Sequence, residues 1–283
     1  MSSPRSIAYQ GEPGSNSHSV CVRDYPELES IPCASFEDVF ALVEGGEADL
    51  ALIPIDNSLA GRVADIHHFL PTSSLFIIAE KFLRIRFSLL GLPGTDISEI
   101  RTVHSHVHAL GQCRKVIKEL GLKPIISGDT AGAAREIVEA GDKSQAAISP
   151  PLAAGIYGLD VLREEVEDED HNTTRFVVLS REFVPAPTDA PAVTTFIFNV
   201  RNIPAALYKA LGGFATNGVN MTKLESYMVG GHFAATQFLA EVDGHPDDPG
   251  LKRALDELAF FTTDIKVIGV YPADAARDEH SRG

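Results

Sequence analysis

Cysteine and long apolar runs are scarce in this chain of 283 residues. Its three cysteines, Cys21, Cys33 and Cys113, are odd in number and far apart in sequence. We therefore expect reduced thiols in a cytoplasmic protein rather than a disulfide framework. No stretch approaches about 20 continuous apolar residues, so no membrane span is expected. The first residues also lack the apolar core of a signal peptide, which again favours the cytoplasm.

Positive charge is scarce as well. The chain has 24 Lys and Arg residues against 39 Asp and Glu residues, a formal net charge of −15. This balance argues against nucleic acid and against an anionic membrane as partners. It does not exclude an anionic metabolite, because a local cluster of hydrogen-bond donors can outweigh the field of the whole protein.

A proline-rich connector divides the sequence into two patterns. Three prolines between residues 185 and 191 predict a stiff, extended linker. Before it, strands and helices alternate, which predicts an α/β fold with mostly parallel sheets covered by helices. The run 76–90 is too long for one ordinary strand and predicts two strands, or one that crosses between lobes. The other predicted segments are the strands Ser6–Tyr9, Leu50–Ile55, Thr102–His104, Lys123–Ile126 and Ala146–Ile148, and the helices 35–45 with a capping box, about Val107–Leu120, and Thr130–Ala140.

The part after the connector has a different order of elements. It reads strand, helix, strand, strand, helix, strand within about 80 residues, which is typical of a ferredoxin-like fold. The two middle strands are expected to join at the dipeptide Gly230-Gly231, and the polar tail from Pro272 is expected to be loose. The predicted segments are Val193–Val200, Pro204–Phe214, Val219–Tyr227, His232–Val242, Asp247–Phe260 and Ile265–Val270.

Polar turns stand at the ends of three predicted strands. They are residues 172–176 (Asn-Thr-Thr-Arg-Phe), 54–58 (Pro-Ile-Asp-Asn-Ser), and Ser105-His106 leading to Gln112-Cys113. In sheets covered by helices, ligands bind at the carboxyl ends of strands, beside helix amino termini. The turns therefore predict one cleft that is lined by hydroxyls and amides, holds few ionised bases and suits a small anionic substrate.

Each of these signals has a plainer interpretation when it stands alone. Thr173-Thr174 before a strand is explained by β-propensity, and residues 56–58 by a turn or a helix cap. Gln112 and Cys113 could be ordinary packing residues, and Thr130 could cap a closely packed helix. The acidic run 164–170 is expected to be a solvated loop.

Three alternating histidines, His104, His106 and His108, suggest a zinc site at first sight. In one strand they would share a face, as a chelating set requires. The predicted helix begins near Val107 and breaks that alignment, and no nearby acidic or cysteine ligand completes the set. A metal site is therefore not predicted.

Taken together, the motifs resemble a known family. The first 180 or so residues resemble prephenate dehydratase, and the remainder resembles an ACT regulatory domain. The resemblance covers nearly the whole chain in collinear order. The matching segments are 9–15, 54–58 with Gly61, 105–113, 129–131, 146–159 and 172–176 in the first part, and 205–207 and 220–226 in the second.

The resemblance implies a two-lobed, periplasmic-binding-protein-like (type II) catalytic domain with the active site between the lobes, followed by a ferredoxin-like βαββαβ ACT domain. Lobe 1 would comprise about 1–82 and 172–184, and lobe 2 about 83–171, within a catalytic domain of residues 1–184. The linker would be 185–192, the ACT domain 193–272 and the loose tail 273–283.

The implied activity is decarboxylation and dehydration of prephenate to phenylpyruvate in phenylalanine biosynthesis, without metal or organic cofactor. The family's catalytic threonine precedes Arg-Phe, which is Thr174 here. Residues implied in substrate binding are Ser15, Asn57, Ser105, Gln112, Thr130, Asn172, Thr173, Arg175 and Phe176.

The chemistry of this substrate suits uncharged donors. Loss of carbon dioxide and hydroxide gives an aromatic ring, so the enzyme needs to hold the ring and help hydroxide leave. A threonine hydroxyl could donate a proton in a concerted step or only hydrogen-bond the leaving oxygen. Arg175 could clamp a carboxylate in bidentate fashion, or it could support the loop from outside the cleft.

In the second part, the resemblance implies a phenylalanine effector bound between paired ACT domains of a homodimer or homotetramer. The implied effector residues are Ala205, Ala206, Leu207, Asn220, Leu224, Glu225 and Ser226. Two departures bear on this site: the family's glycine is Ala205 here, and its Glu-Ser-Arg-Pro motif continues as Tyr227-Met228. A module that only dimerises is the alternative.

Other departures lie in the catalytic part, where Asp56 replaces the usual Glu and Val107-His108 replace Pro-Gln. Either could retune substrate choice. Arogenate dehydratase, whose substrate carries an amine in place of the side-chain keto group, is therefore an alternative. An alternative from another class is a metabolite sensor without catalytic activity.

Overall fold

The computed structural model describes residues 5–63, 66, 69–201, 203–228 and 235–277. The chain forms two compact units. Unit 1 comprises Met1–Phe69 and Lys81–Phe176, and unit 2 comprises Leu70–Glu80 and Val177–Gly283. The predicted hairpin dipeptide Gly230-Gly231 lies outside the described residues.

Unit 1 is an α/β structure built on two sheets. Its strands are β1 (Ser6–Gln10), β2 (Glu29–Cys33), β3 (Leu50–Asn57), β4 (Gly61–Arg62), β5 (Phe76–Arg84), β6 (Ser88–Gly91), β7 (Thr102–Ser105), β8 (Lys123–Ile126), β9 (Gln145–Ser149), β10 (Asp160–Arg163) and β11 (Thr173–Ser180). Its helices are α1 (Asn16–Asp24), α2 (Phe36–Gly45), α3 (Val107–Gln112), α4 (Arg114–Glu119), α5 (Thr130–Ala140) and α6 (Leu152–Tyr157). The boundary with unit 2 falls inside β5, after Glu80, and inside β11, after Phe176.

The two sheets define two lobes. Lobe 1 has the strand order β5-β11-β3-β1-β2, with β4 paired to β3. Lobe 2 has the order β10-β6-β9-β7-β8. The long run 76–90 is thus two strands, one in each lobe, as one of the two sequence alternatives predicts.

The sheets are more mixed than the sequence predicts. In lobe 1, β1 runs parallel to β2 and β3, and in lobe 2, β7 runs parallel to β8 and β9. However, β6 is antiparallel to both β9 and β10. Strand β6 is where the chain enters lobe 2, and β10 is the last strand before it returns to lobe 1. Their directions are therefore set by these two connections between the lobes and not by the strand–helix–strand repeat that makes neighbouring strands parallel.

Strands β6 and β9 of lobe 2 are buried on both faces, which explains their nearly continuous small and apolar residues. Ala146 and Ile148 point into a core shared with α3 and α4. Ala147, between them, points into a second core shared with α5 and α6. The carboxyl ends of β7 and β9 are therefore held between two layers of helices.

Helix boundaries follow the local sequence closely in α2 and α5. Ser35 and Asp38 form the predicted capping box at the start of α2, and Gly46 ends that helix in the left-handed conformation. Helix α5 spans Thr130–Ala140 as predicted, although Asp129 and not Thr130 is its N-cap. Because Gly46 has a φ of 82°, it is a position where only glycine is free of strain.

The predicted helix Val107–Leu120 is wrong in one respect, because it is two helices that meet at Cys113. Asp168 explains the break. Its backbone N–H donates to the Gln112 carbonyl oxygen at 2.6 Å. Its carboxylate accepts the backbone N–H groups of Arg114 and Lys115, each at 3.0 Å. Asp168 thus satisfies both helix ends, and the continuous helix loses its advantage.

Unit 2 contains the predicted strand–helix–strand–strand–helix–strand order. Its elements are β12 (Ala192–Val200), α7 (Ala206–Thr216), β13 (Met221–Met228), β14 (Ala235–Asp243), α8 (Pro249–Phe261) and β15 (Thr262–Pro272). The strand order is β13-β14-β12-β15, with all three pairings antiparallel. Both helices pack on one apolar core that includes Phe196, Phe198 and Phe214.

The start of the C-terminal tail is anchored, in contrast to the loose tail predicted from residue 273. Arg277 makes a bidentate ion pair with Glu80 at 2.7 and 2.6 Å, and its guanidinium lies 3.8 Å from Glu241. The Asp274 N–H also donates to Glu80. Both glutamates are buried, and the sequence gives no local sign of a partner so distant along the chain.

Among the described residues, no helix is long and apolar enough to cross a membrane.

Candidate active site

Four of the predicted site residues form a continuous chain of hydrogen bonds within unit 1. The Asn57 Nδ2 donates to Thr174 Oγ1 at 2.9 Å and to Asn172 Oδ1 at 2.7 Å. The Asn172 Nδ2 in turn donates to Gln112 Oε1 at 2.9 Å. The first three residues belong to lobe 1 or its border, and Gln112 belongs to lobe 2. The chain therefore connects the two lobes through uncharged groups only.

The orientation of this network leaves the proton of Thr174 free for a ligand. Asn57 uses both amide hydrogens within the network, and its Oδ1 accepts the backbone N–H groups of Leu59 and Ala60. The amide is therefore fixed from both ends. Since Thr174 Oγ1 accepts from Asn57, its own hydrogen can point toward a bound oxygen.

Alternation along the strands assigns the neighbouring side chains to two faces. Successive residues of a strand point to opposite faces. Thr174 and Phe176 therefore share one face of β11, and Thr173 and Arg175 share the other. Phe176 is buried, so its side chain packs in the interior on the face of β11 that carries Thr174.

Arg175 lies on the face away from Thr174. Its Nη1 is 3.5 Å from Asp56 Oδ2, and only 10% of the side chain is exposed. Asp56 precedes Asn57 in β3 and so points to the opposite face from it. Of the two roles that the sequence allows for Arg175, this placement favours support of the strand pair over a carboxylate clamp beside Thr174.

Ser58 ties the two polar turns together through the backbone. Its Oγ accepts the Thr173 N–H at 2.9 Å and donates to the His171 carbonyl at 3.1 Å. The Ser58 N–H donates to the Thr173 carbonyl. Thr173 is thus held by its main chain beside the network.

Three other predicted substrate-binding residues have local structural roles. Ser105 is fully buried at the end of β7, and its Oγ donates to the Ile148 carbonyl at 2.6 Å. Ser15 is the N-cap of α1, where its Oγ accepts the His18 N–H. Thr130 is the first residue of α5. Within the described part of the chain, none of the three is hydrogen-bonded to the Thr174 network, so their substrate roles stay predictions.

The acidic run 164–170 contains residues that sequence reasoning missed. Asp168 orders Gln112 and the start of α4, as described above, and Glu167 accepts the Phe87 N–H at 2.9 Å. A solvated loop is therefore the wrong interpretation for these two residues. A carboxylate five or six residues before a strand is too common a pattern to have indicated this.

The titratable groups of unit 1 agree with a site of low charge. Burial raises the pKa of Cys113 far above its usual value, with help from the negative charges of Asp168 and Glu167. Burial also raises the pKa of Cys21 to about 12. These thiols are therefore protonated near neutral pH and are poor nucleophiles. In the described residues no group of three or more His, Cys, Asp or Glu side chains could hold a metal ion.

The predicted effector residues of unit 2 lie in two places. Ala205, Ala206 and Leu207 are at the start of α7, and the others are on or beside β13, an edge strand. Ala205 has a φ of 60°, a conformation that favours glycine. The Asn220 side chain is bonded to Asp243. Leu224 is 39% exposed.

Comparison with known proteins identifies the family of the chain. The family model for prephenate dehydratase matches residues 7–183. A bifunctional N-acyl-homoserine lactone acylase/prephenate dehydratase of Komagataeibacter europaeus is 50% identical over 278 residues, which cover 98% of this chain and 99% of that protein.

A chloroplastic protein of Arabidopsis thaliana, arogenate dehydratase/prephenate dehydratase 1, is 34% identical over 96% of this chain and 73% of its own length. Among solved structures, the prephenate dehydratase of Arthrobacter aurescens in complex with L-Phe superposes with a TM-score of 0.87 at 30% identity, and the match covers 95% of this chain and 90% of that one. On the extent of these matches, the chain belongs to the prephenate dehydratase family.

Proposed function

We propose that this protein converts prephenate to phenylpyruvate. The observation that carries the proposal is the network of uncharged hydrogen-bonding groups formed by Thr174, Asn57, Asn172 and Gln112. It occurs in a protein that belongs to the prephenate dehydratase family. In the reaction, the bond between the ring and its carboxylate breaks and carbon dioxide leaves. The electron pair moves into the ring and expels the ring hydroxyl, which departs as water after taking one proton.

Thr174 acts at the leaving oxygen. Its hydroxyl hydrogen is available because Asn57 already donates to Oγ1. A positioned donor of this kind contributes about 10²–10⁴-fold to the rate. An alcohol is a weak acid, so its donation is concerted with departure of the oxygen or remains a hydrogen bond that strengthens as negative charge develops.

Asn57 and Asn172 fix the direction of that donor. Their amides are held at both ends, so no reorganisation is needed when the charge develops. A site of low charge also suits this reaction. The substrate is already a dianion, and the formation of an aromatic ring drives the elimination without an ionised base. The ring needs to be oriented and separated from water rather than attacked by a base.

The direct test is an assay of the purified chain with prephenate, following phenylpyruvate formation. Thr174→Val, prepared in parallel, controls for spontaneous aromatisation and for contaminating host enzyme. We expect turnover by the wild type and about 10²–10⁴-fold less by the variant. Equal rates in the two samples would refute the proposal.

Arogenate is the second substrate to test, because the Arabidopsis relative at 34% identity carries both names. A site that hydrogen-bonds the side-chain keto group of prephenate leaves polar groups unpaired when the amine of arogenate is bound. A site that hydrogen-bonds the amine likewise leaves groups unpaired when prephenate is bound. The ratio of kcat/KM for the two substrates assigns the preference.

Acylase activity is a further candidate, favoured by the 50% identity to the Komagataeibacter protein over almost the full length of both chains. The buried cysteines are unsuited to form an acyl-enzyme, since burial raises their pKa. Release of homoserine lactone from an N-acyl-homoserine lactone, measured with the wild type and Thr174→Val, tests the candidate and shows whether it shares the dehydratase site.

Feedback regulation by phenylalanine belongs to the same proposal. Its support is the L-Phe complex of the Arthrobacter relative and the ferredoxin-like strand order of unit 2, which we assign to an ACT domain. Calorimetric titration of the full chain with phenylalanine tests it, and absence of heat at millimolar ligand would remove the regulatory part alone.

A further inference from the structure

The two lobes of unit 1 meet at a second place, separate in sequence from the Thr174 network. The contact is made by the loop after β1, residues 11–15, with helices α5 and α6 of lobe 2. The Tyr157 Oη donates to the Pro13 carbonyl oxygen at 2.9 Å. The Arg135 Nη2 lies 3.3 Å from Glu12 Oε1. We call these four residues, Glu12, Pro13, Arg135 and Tyr157, the clasp.

Close packing accompanies the clasp. Gly14 has a φ of 91°, and a methyl group added to it would lie 2.9 Å from Cα and 3.0 Å from Cβ of Ala153. Ala153 is in α6 and has no exposed surface. The backbone of lobe 1 therefore touches the helix of lobe 2 directly, and a larger residue at position 14 would act as a wedge.

The loop is also fixed firmly to lobe 1. The Gly14 N–H donates to His18 Nδ1 at 3.0 Å. The His18 ring stacks on Tyr9 of β1, with ring centroids 5.2 Å apart and planes at 4°. A force applied by lobe 2 on the loop is thus transmitted to the central strands of lobe 1 and not absorbed by a free segment.

The surroundings of Tyr157 favour its role as a donor. Burial raises the pKa of its hydroxyl, and the negative charges of Glu12 and Asp129 raise it further against the opposing effect of Arg135. The hydroxyl is therefore protonated throughout the physiological range and keeps its bond to Pro13.

We propose that the clasp holds the two lobes closed over the site and that Tyr157 is a positioning residue for catalysis. When the clasp is made, Gln112 of lobe 2 stays within hydrogen-bond distance of Asn172, and the Thr174 network is complete. When it is broken, the lobes separate and substrate enters or product leaves. The structural part is independent of the proposed function, whereas its kinetic consequence rests on that function.

The structural part is tested by hydrogen exchange in the full chain. The variants are Tyr157→Phe and the double variant Tyr157→Phe/Arg135→Gln, compared with Arg163→Gln. Arg163 makes a similar exposed ion pair with Glu119, but within lobe 2. We expect faster exchange of peptides covering residues 11–19 and 152–159 in the clasp variants only, by about 2- to 10-fold for each bond removed.

The kinetic part is tested with prephenate. A weaker clasp makes closure of the lobes less favourable, and part of the free energy of substrate binding is then used to close them. KM should therefore rise about 2- to 10-fold for Tyr157→Phe, while kcat stays within about twofold. Gly14→Ala should have a larger effect. Tyr208→Phe, which alters a hydroxyl on a side chain 82% exposed in unit 2, should change neither constant.

The outcomes separate the possibilities. Unchanged exchange in both clasp variants would overturn the proposal, and so would faster exchange spread evenly over unit 1, which would indicate general destabilisation. If the wild type had no dehydratase activity, the proposed function would fail, but the exchange experiment would still decide whether the clasp controls opening of the lobes.

Discussion

The Asn57 Nδ2 lies 2.9 Å from Thr174 Oγ1, although 117 residues separate them in sequence. The same nitrogen donates to Asn172 at 2.7 Å. One amide group thus orients both the hydroxyl assigned to the leaving oxygen and the residue that reaches lobe 2. The site depends on the direction of this amide as much as on the threonine.

Replacement of Asn57 by Asp tests this dependence. The two side chains have the same shape, but Asp offers an acceptor and a negative charge where the network needs a donor. We expect kcat/KM for prephenate to fall about 10²–10³-fold, comparable to removal of one preorganised donor. Asn16→Asp is the control, because it adds the same charge in the first turn of α1, where the helix dipole accepts it.

Arg175 and Asp56 provide a test between support and clamp. If the guanidinium supports the strand pair, Arg175→Met should lower the free energy of unfolding by about 1–3 kcal/mol, because it removes the charge that pairs with the partly exposed carboxylate of Asp56. Asp56→Asn/Arg175→Met should cost less than the sum of the single changes.

Urea unfolding of the four proteins of this cycle measures the coupling. A KM for prephenate that rises at least 100-fold in Arg175→Met, with stability unchanged, would instead identify a carboxylate clamp.

Arg277 tests the anchored tail. Its bidentate partner Glu80 is completely buried, so Arg277→Ala should lower the stability of unit 2 by roughly 3 kcal/mol. Arg277→Lys should recover part of this, because it keeps the charge without the fork geometry. Arg201→Ala, at an exposed position, is the control. Urea unfolding followed by exchange of β12–β15 amides measures the change, and an unaltered midpoint would contradict the account.

Acid should destabilise unit 1 through its histidines. Burial lowers the pKa of His18, His104 and His106 below the usual value of about 6.5. As pH falls through 6.5, the unfolded chain binds protons that the folded chain does not, so the free energy of unfolding decreases. The decrease ends once pH is below the folded pKa values. His18→Gln should weaken this pH dependence between pH 7.5 and 5.5, measured by urea unfolding at each pH.

Much of the architecture was predictable because it is encoded locally. The capping box at Ser35 and Asp38 and the span of α5 each depend on residues close in sequence. The strand–helix order of unit 2 follows for the same reason. The polar turns 54–58 and 172–176 come together because β3 and β11 are neighbours in one sheet.

What was not predictable depends on partners far apart in sequence. The break at Cys113 requires Asp168, 54 residues from Arg114, and the anchored tail requires Glu80, 197 residues from Arg277. The same holds for the face of β11 on which Arg175 lies, because its partner Asp56 is 119 residues away. Neither the composition of the chain nor the periodicity of its apolar residues predicts which residues form such distant pairs.

Thr174 carries the central claim, and a comparison of three proteins tests it most directly. Single-turnover formation of phenylpyruvate should be reduced about 10²–10⁴-fold in Thr174→Val and largely retained in Thr174→Ser, which keeps the hydroxyl. Prephenate affinity should be similar in all three. A Thr174→Val variant that turns over prephenate at the wild-type rate would contradict the assignment of the hydroxyl to the leaving oxygen.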